Sequence, residues 1–212
     1  SKIGMDGRVD LAYGFDGIIK LFGEDYLDLK LAQNYHSELS NELLSLKPTL
    51  MRANWERRSD KGFAYNVTYS YLGEQFDPEI GFLKYHGVQG AEVLLRYGWL
   101  PGEKSQVFRS SAFLQVNRLV RVTDQGMESY MVGPGFELFG KSGLGGRLQI
   151  KYNREDILEA FDLSDEVQVP AGPYEYTGFE GMLFTPQSKP YFAIFMVEGG
   201  QYYDGSKFSV MA

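Results

Sequence analysis

Three features of the 212-residue sequence predict an all-β fold built as an antiparallel meander. Tyrosine and phenylalanine, which favour strands, each occur 15 times. The 25 glycines supply the tight turns that many short strands require. Apolar and polar residues alternate with a period of two along several segments, which is typical of strands with one apolar face. We therefore predict about ten strands in a single domain spanning the whole chain.

The predicted strands follow one another along the chain with turn residues between them. The segments that alternate most clearly are 9–13, 27–31, 51–55, 62–72, 91–99, 109–117 and 144–152. Residues 191–197 are apolar on both sides, which predicts a strand covered on both faces. Residues 153–166 fit a short helix, a surface loop or a strand.

Segment 62–72, GFAYNVTYSYL, shows what the alternation leaves open. One face carries aromatic residues and Val67, and the other carries Ala64, Asn66, Thr68 and Ser70. A transmembrane barrel turns such an apolar face towards lipid, whereas a soluble barrel or sandwich turns it towards a core. Strands of about 9 to 11 residues suit a tilted membrane span, while soluble strands are typically about half that length. The alternation alone favours neither architecture.

Composition excludes several classes of function. The net charge is -7 and no run of Lys or Arg occurs, so we expect no nucleic-acid partner. Cysteine is absent, which removes thiol chemistry, and no apolar run is long enough for a spanning helix. Residues 1–11 lack the features of a signal peptide, so either secretion does not occur or the chain lacks its natural start. We expect no cofactor.

Four pieces of sequence carry a resemblance to a known family. They are GMD at 4–6, FDPEIGF at 76–82, VQVPAGPY at 167–174 and QYYDG at 201–205. In this order they resemble phrases of a family of uncharacterised bacterial outer-membrane proteins. In that family a domain similar to family 9 carbohydrate-binding modules precedes a C-terminal β-barrel.

The resemblance implies that the chain is an internal part of a transmembrane β-barrel in the bacterial outer membrane. It implies contact with outer-membrane lipid and a carbohydrate-associated role in binding, transport or surface anchoring. Protein partners in a surface complex are a further expectation.

The polar sides of the predicted strands supply the candidate binding residues, because they would face the lumen of such a barrel. These are Arg8, Asp10, Arg96, Arg109, Gln115, Asn117, Arg147 and Lys151. The FDPEIGF motif is interpreted as a turn, because Asp before Pro favours a bend and Gly releases the chain into the next strand. Its residues are Phe76, Asp77, Pro78, Glu79, Gly81 and Phe82.

Two other hypotheses stay open. The first is a soluble β domain, periplasmic or secreted, that binds or hydrolyses polysaccharide through the carboxylates of Glu74, Asp77 and Glu79. The second is a structural subunit of a surface assembly. We expect no catalytic residues outside the first of these hypotheses.

Metal and sugar ligation have weaker sequence support. His36 with Glu38, and His86 with Glu79, lack a further ligand at metal-binding spacing, so we expect no metal site. Four aromatic residues are candidates for stacking on sugars or for anchoring at a membrane interface. They are Trp55, Trp99, Tyr202 and Tyr203.

Overall fold

The computed structural model of the chain describes residues 2–3, 9–36, 45–77, 86–164, 167–186 and 189–212. Fourteen strands lie in these ranges, and none of the described residues is helical. In this part of the chain no helix is long and apolar enough to cross a membrane.

The strands have the following bounds. They are β1 (Lys2–Ile3), β2 (Val9–Lys20), β3 (Asp25–His36), β4 (Thr49–Arg57), β5 (Gly62–Leu72), β6 (Val88–Trp99), β7 (Val107–Arg121), β8 (Met127–Gly140), β9 (Gly145–Ile157), β10 (Phe161–Ser164), β11 (Val167–Val169), β12 (Gly172–Phe184), β13 (Ile194–Tyr202) and β14 (Gly205–Met211).

Twelve of these strands form one sheet in which neighbours in sequence are neighbours in space. The order is β1 to β9 followed by β12, β13 and β14, and every pairing is antiparallel. Strands β10 and β11 form a separate hairpin inserted between β9 and β12. The predicted all-β antiparallel meander is confirmed. Among the described residues the two edges of the sheet do not pair, so closure into a barrel stays a prediction.

Two local predictions change. The helix alternative for residues 153–166 is wrong over the described part, because β9 continues to Ile157 and β10 begins at Phe161. The strand expected at 191–197 begins only at Ile194 and runs on to Tyr202. It is not covered on both faces, because Ile194, Phe195 and Met196 are all exposed. Three long or well-paired strands, β8, β12 and β14, were not predicted from the sequence.

The polar face of the sheet is the more buried of its two faces. On β9, Gln149 is 1% exposed, whereas its neighbours Leu148 and Ile150 on the other face are 56% and 55% exposed. On β5, Thr68 is 2% exposed and Phe63 is 49% exposed. The described strands contact mainly their neighbours in the sheet, so the polar side chains are buried against one another. In a soluble antiparallel sheet the apolar face packs on a core and is the more buried of the two.

The connections differ in length between the two ends of the sheet. At one end, called the short-loop end, the connections 21–24, 58–61, 100–106, 141–144 and 185–193 join the strands. At the other, the long-loop end, the connections are 37–48, 73–87, 122–126, 158–171 and 203–204. The three longest connections in the sheet therefore lie at the long-loop end.

A buried ion pair ties three strands together at the short-loop end. Asp25, the first residue of β3, is fully buried. Its carboxylate accepts hydrogen bonds from Arg57 Nε at 2.6 Å, from Arg57 Nη2 at 3.1 Å and from the Tyr65 hydroxyl at 2.9 Å. The two hydrogen bonds from the Arg57 guanidinium favour the charged form of the carboxylate, because both carboxylate oxygens accept from a cation. This clamp connects the ends of β3, β4 and β5 beside their turns.

We predict that Asp25→Asn destabilises the folded protein. The neutral amide removes the charged acceptor of Arg57 and Tyr65, and hydrogen bonds to charged groups stabilise a fold more than those between neutral groups. The midpoint of urea unfolding at neutral pH should therefore fall. Asp204→Asn, at an exposed turn position, is the control, and a parental midpoint in Asp25→Asn would contradict the clamp.

Candidate functional site

The polar face is the candidate functional surface, because six predicted binding residues project from it. These are Arg96, Arg109, Gln115, Asn117, Arg147 and Lys151, on β6, β7 and β9. Asp10 lies opposite His36 in the pairing of β2 with β3, but its side chain is outside the described part of the structure. Arg8 is outside the described residues altogether.

Two of the predicted residues hold a turn in place. Arg96 Nη2 donates a hydrogen bond to the carbonyl of Ser59 at 2.8 Å. Arg109 forms an ion pair with Asp60 in the same turn, and its guanidinium carbon lies 4.4 Å from the centre of the Phe139 ring. Both arginines therefore anchor the connection between β4 and β5 onto the polar face near the short-loop end.

A second group, the central cluster, occupies the polar face of β7, β8 and β9. Its members are Ser111, Phe113, Gln115, Glu137, Arg147 and Gln149. The Arg147 guanidinium stacks on Phe113, 4.2 Å from the ring centre. Arg147 Nη2 also donates to Gln149 Oε1 at 3.1 Å and to Gln115 Oε1 at 3.4 Å, while Nη1 lies 3.7 Å from Glu137 Oε1. The contact between Arg147 and Gln115 crosses β8, since these residues lie two strands apart.

Two glycines on β8, Gly133 and Gly135, leave room for this contact across the strand. Added Cβ atoms on Gly133 and Gly135 would overlap the Gln149 side chain and the Phe113 ring, respectively. The pairing of β8 with β9 is interrupted at Gly133 and Pro134, because proline has no backbone N–H to donate. Gln149 Nε2 donates to the Gly133 carbonyl at 3.1 Å. The buried Gln149 side chain therefore gives this carbonyl a hydrogen-bond partner where the pairing of β8 with β9 is interrupted.

The remaining predicted residues lie apart from the central cluster. Lys151 pairs with Glu180 on β12. Asn117 lies opposite Glu92 on β6 and Met131 on β8. The predicted set thus separates into the turn anchors, the central cluster and these two positions, rather than converging on one point.

The sequence interpretation missed the charged residues of the last strands. Glu180, Glu198 and Lys207 lie on the polar face of β12, β13 and β14. Glu180 and Glu198 lie two residues from Gly178 and Gly200, and this spacing was the available signal, but the glycines interrupted the alternation by which strands are recognised.

The four aromatic candidates divide between the two faces. Trp55 and Trp99 lie on the apolar face near the short-loop end and are 43% and 44% exposed. Tyr202 ends β13 on the polar face, and Tyr203 follows it in the turn with a positive φ of 50°. The Tyr203 hydroxyl donates to Glu155 at 2.9 Å.

Of the FDPEIGF motif, Phe76 and Asp77 are described. Phe76 is buried, and the backbone N–H of Asp77 donates to Asn34 Oδ1 at 3.3 Å. Pro78, Glu79, Gly81 and Phe82 lie outside the described residues. Glu74 and Asp77, candidates for hydrolysis, are exposed at the long-loop end.

The two His–Glu pairs that were considered as metal ligands lie largely outside the described residues. Glu38, Glu79 and the side chain of His36 are not described, and His86 is exposed. Over the described ranges, no group of three His, Asp or Glu is placed to hold a metal ion.

Comparisons with known proteins add no family assignment to this geometry. No protein-family model, no curated protein and no solved structure matches the chain.

We predict that Gly135→Ala destabilises the protein through the central cluster. The new Cβ would overlap the Phe113 ring and lie 2.7 Å from the Leu148 carbonyl oxygen, and overpacking of this kind costs about 1–3 kcal/mol. The free energy of unfolding, measured by urea titration, should fall by this amount. Gly17→Ala is the matched control, because nothing lies within 4 Å of its added Cβ.

A double-mutant cycle separates this contact from general strand effects. Phe113→Leu should recover part of the free energy of unfolding lost in Gly135→Ala, because the Phe113 ring and the added methyl group would occupy the same space. Two results would refute the role of Gly135. One is an equal loss of unfolding free energy in Gly135→Ala and Gly17→Ala, and the other is strict additivity of the free-energy changes of Gly135→Ala and Phe113→Leu.

Proposed function

We propose that the chain forms wall strands of an outer-membrane β-barrel, with its apolar face against lipid and its polar face lining an aqueous lumen. The observation that carries the proposal is the burial pattern: polar side chains are buried against one another while Leu, Ile, Phe and Trp side chains are exposed. Membrane barrels require this polarity, because lipid surrounds the outside of the wall.

The distribution of residues on the apolar face supports the proposal. Aliphatic residues such as Val67 and Leu95 occupy the middle of the strands. Aromatic residues flank them on both sides: Trp55, Phe63, Tyr97 and Trp99 near the short-loop end, and Tyr13, Tyr35, Tyr69 and Tyr130 towards the long-loop end. Aromatic girdles at both interfaces are typical of outer-membrane barrels.

Strand and loop lengths agree with the same architecture. Strands β2 to β9 and β12 contain 9 to 15 residues, and a tilted spanning strand needs about 9 to 11. The three longest connections share one end of the sheet. In outer-membrane barrels short turns face the periplasm and longer loops face outward.

The role of such a wall is passage or binding of polar solutes. The polar face carries side chains of both charge signs together with amides and hydroxyls, from Arg52 and Asn54 on β4 to Lys207 on β14. The association with carbohydrate and with the outer-membrane family rests on the sequence resemblance.

The test compares two arginine substitutions at neighbouring positions of β5. Val67→Arg places a charge on the apolar face at mid-strand and should cost about 2–4 kcal/mol of folding free energy in a bilayer. Asn66→Arg, the matched control, places the charge on the polar face beside Glu56, which already accepts a hydrogen bond from Asn66 Nδ2 at 3.2 Å.

Membrane fractionation and heat-modifiable migration in detergent give the readouts for the full-length protein. We expect the parent and Asn66→Arg in the outer membrane, migrating faster before heating than after, and Val67→Arg depleted from it. A protein that is soluble without detergent, with Asn66→Arg as harmful as Val67→Arg, would overturn the proposal.

A further inference from the structure

A pocket of about 190 Å³ lies on the polar face of the last strands, between β9 and β14. Its floor is the backbone of Gly178 on β12 and Gly200 on β13, which are direct partners across the two strands. Lys151 lies beside Gly178 on β9, and Lys207 lies beside Gly200 on β14. We call this site the glycine-floored pocket.

The floor has no room for side chains. An added Cβ on Gly200 would overlap the Gly178 backbone, and Gly200 has a φ of 138°, which favours glycine. An added Cβ on Gly178 would lie 3.0 Å from the Gly199 carbonyl oxygen. The close approach of the two backbones therefore keeps a gap in a face that is otherwise filled by long side chains.

Charged residues form the wall towards the short-loop end. Glu180 and Glu198 lie directly opposite each other on β12 and β13, an arrangement that is unfavourable for two uncompensated carboxylates. Each has its own cation: Lys151 pairs with Glu180, and Lys207 pairs with Glu198. The four charges cancel, so the pocket offers strong donors and acceptors without a net charge.

Tyrosine rings form the opposite wall, two residues from each floor glycine towards the long-loop end. The rings of Tyr176 and Tyr202 meet edge to face with centres 5.6 Å apart. The Tyr176 hydroxyl donates to Glu155 at 2.8 Å and the residue is buried, so the half-exposed Tyr202 ring forms the accessible part of this wall. The Lys207 ammonium lies 5.3 Å from the centre of that ring. Asn153 adds an amide to the lining.

We propose that the glycine-floored pocket binds a single neutral sugar ring. A sugar hydroxyl both donates and accepts, so it can bridge a carboxylate and an ammonium group, whereas a charged ligand would disrupt one of the ion pairs. The C–H surface of the ring suits the tyrosine wall. The inference deepens the proposed function and rests on it in one respect: the polar face must be open to water.

Saturation-transfer NMR on the full-length protein in detergent tests the pocket, with glucose, galactose and mannose as probes. At least one hexose should receive saturation, and the double variant Glu180→Gln with Glu198→Gln should bind it about tenfold more weakly, since hydrogen bonds to charged acceptors are lost. Glu137→Gln is the matched control, because this carboxylate also lies on the polar face but belongs to the central cluster.

Heat-modifiable migration of each variant, checked in parallel, separates binding from folding. Absence of transfer to all three hexoses in heat-modifiable protein would overturn the pocket and leave the barrel intact, whereas a protein without heat-modifiable migration would overturn the barrel itself. Stronger binding of glucuronate or glucosamine than of the neutral hexoses would overturn the assignment to a neutral ligand. Equal weakening by Glu137→Gln would place the binding elsewhere.

Discussion

Burial of the polar face is the constraint on which the rest of the structure depends. Buried polar groups need hydrogen-bond partners, and on this face neighbouring strands supply them: Asn54 on β4 accepts from the Thr68 hydroxyl, and Gln115 and the Gly133 carbonyl accept from Gln149 Nε2. The half-buried Lys151 pairs in the same way with Glu180 on β12. On the apolar face the Asp25–Arg57–Tyr65 clamp meets the same requirement near the short-loop end, while large apolar side chains such as Leu148 and Ile150 are exposed. A large exposed apolar surface is unfavourable in water, so the chemistry of the sheet calls for an apolar environment on that side.

Glycine decides where the polar face is filled and where it is open. At Gly133 and Gly135 the bare backbone is covered by Gln149 and Phe113, which makes the centre of the face dense. At Gly178 and Gly200 the space stays open and charged residues surround it. The same residue type therefore produces a packed wall in one region and a pocket in another. The difference lies in what the neighbouring side chains contact, since Lys151 and Lys207 beside the pocket pair with Glu180 and Glu198.

The sequence was sufficient to predict an all-β antiparallel meander and most of its strands, whereas closure into a barrel stays a prediction. Clear alternation marked β5, β7 and β9, and it also placed Arg96, Gln115 and Arg147 on the polar side. Strand β8 was not predicted because Gly133, Pro134 and Gly135 resemble a turn. In the structure the two glycines accommodate side chains from adjacent strands. In β12, which begins at Gly172 within the VQVPAGPY motif, Gly178 and Gly181 interrupted the alternation. Contacts that cross a strand, such as Arg147 with Gln115, depend on register and cannot be predicted from one strand alone.

The identity of the surroundings stays a prediction, and so does the family resemblance, whose FDPEIGF motif is described only at Phe76 and Asp77. The structure adds to the sequence the information about which face of the sheet is buried. Alternation along β5 was compatible with lipid or with a protein core on its tyrosine side. The low exposure of Ala64 and Thr68 shows that the opposite, polar side is the buried one.

Spin-label accessibility along β5 tests most directly which face meets lipid. The chain contains no cysteine, so single cysteines at positions 63 to 71 can each be labelled uniquely in the full-length protein in lipid vesicles. Odd-numbered positions should collide with oxygen, which concentrates in lipid, and even-numbered positions with a water-soluble nickel complex. The reversed phase, or equal access of the nickel complex to both sets, would contradict the placement of the apolar face against lipid.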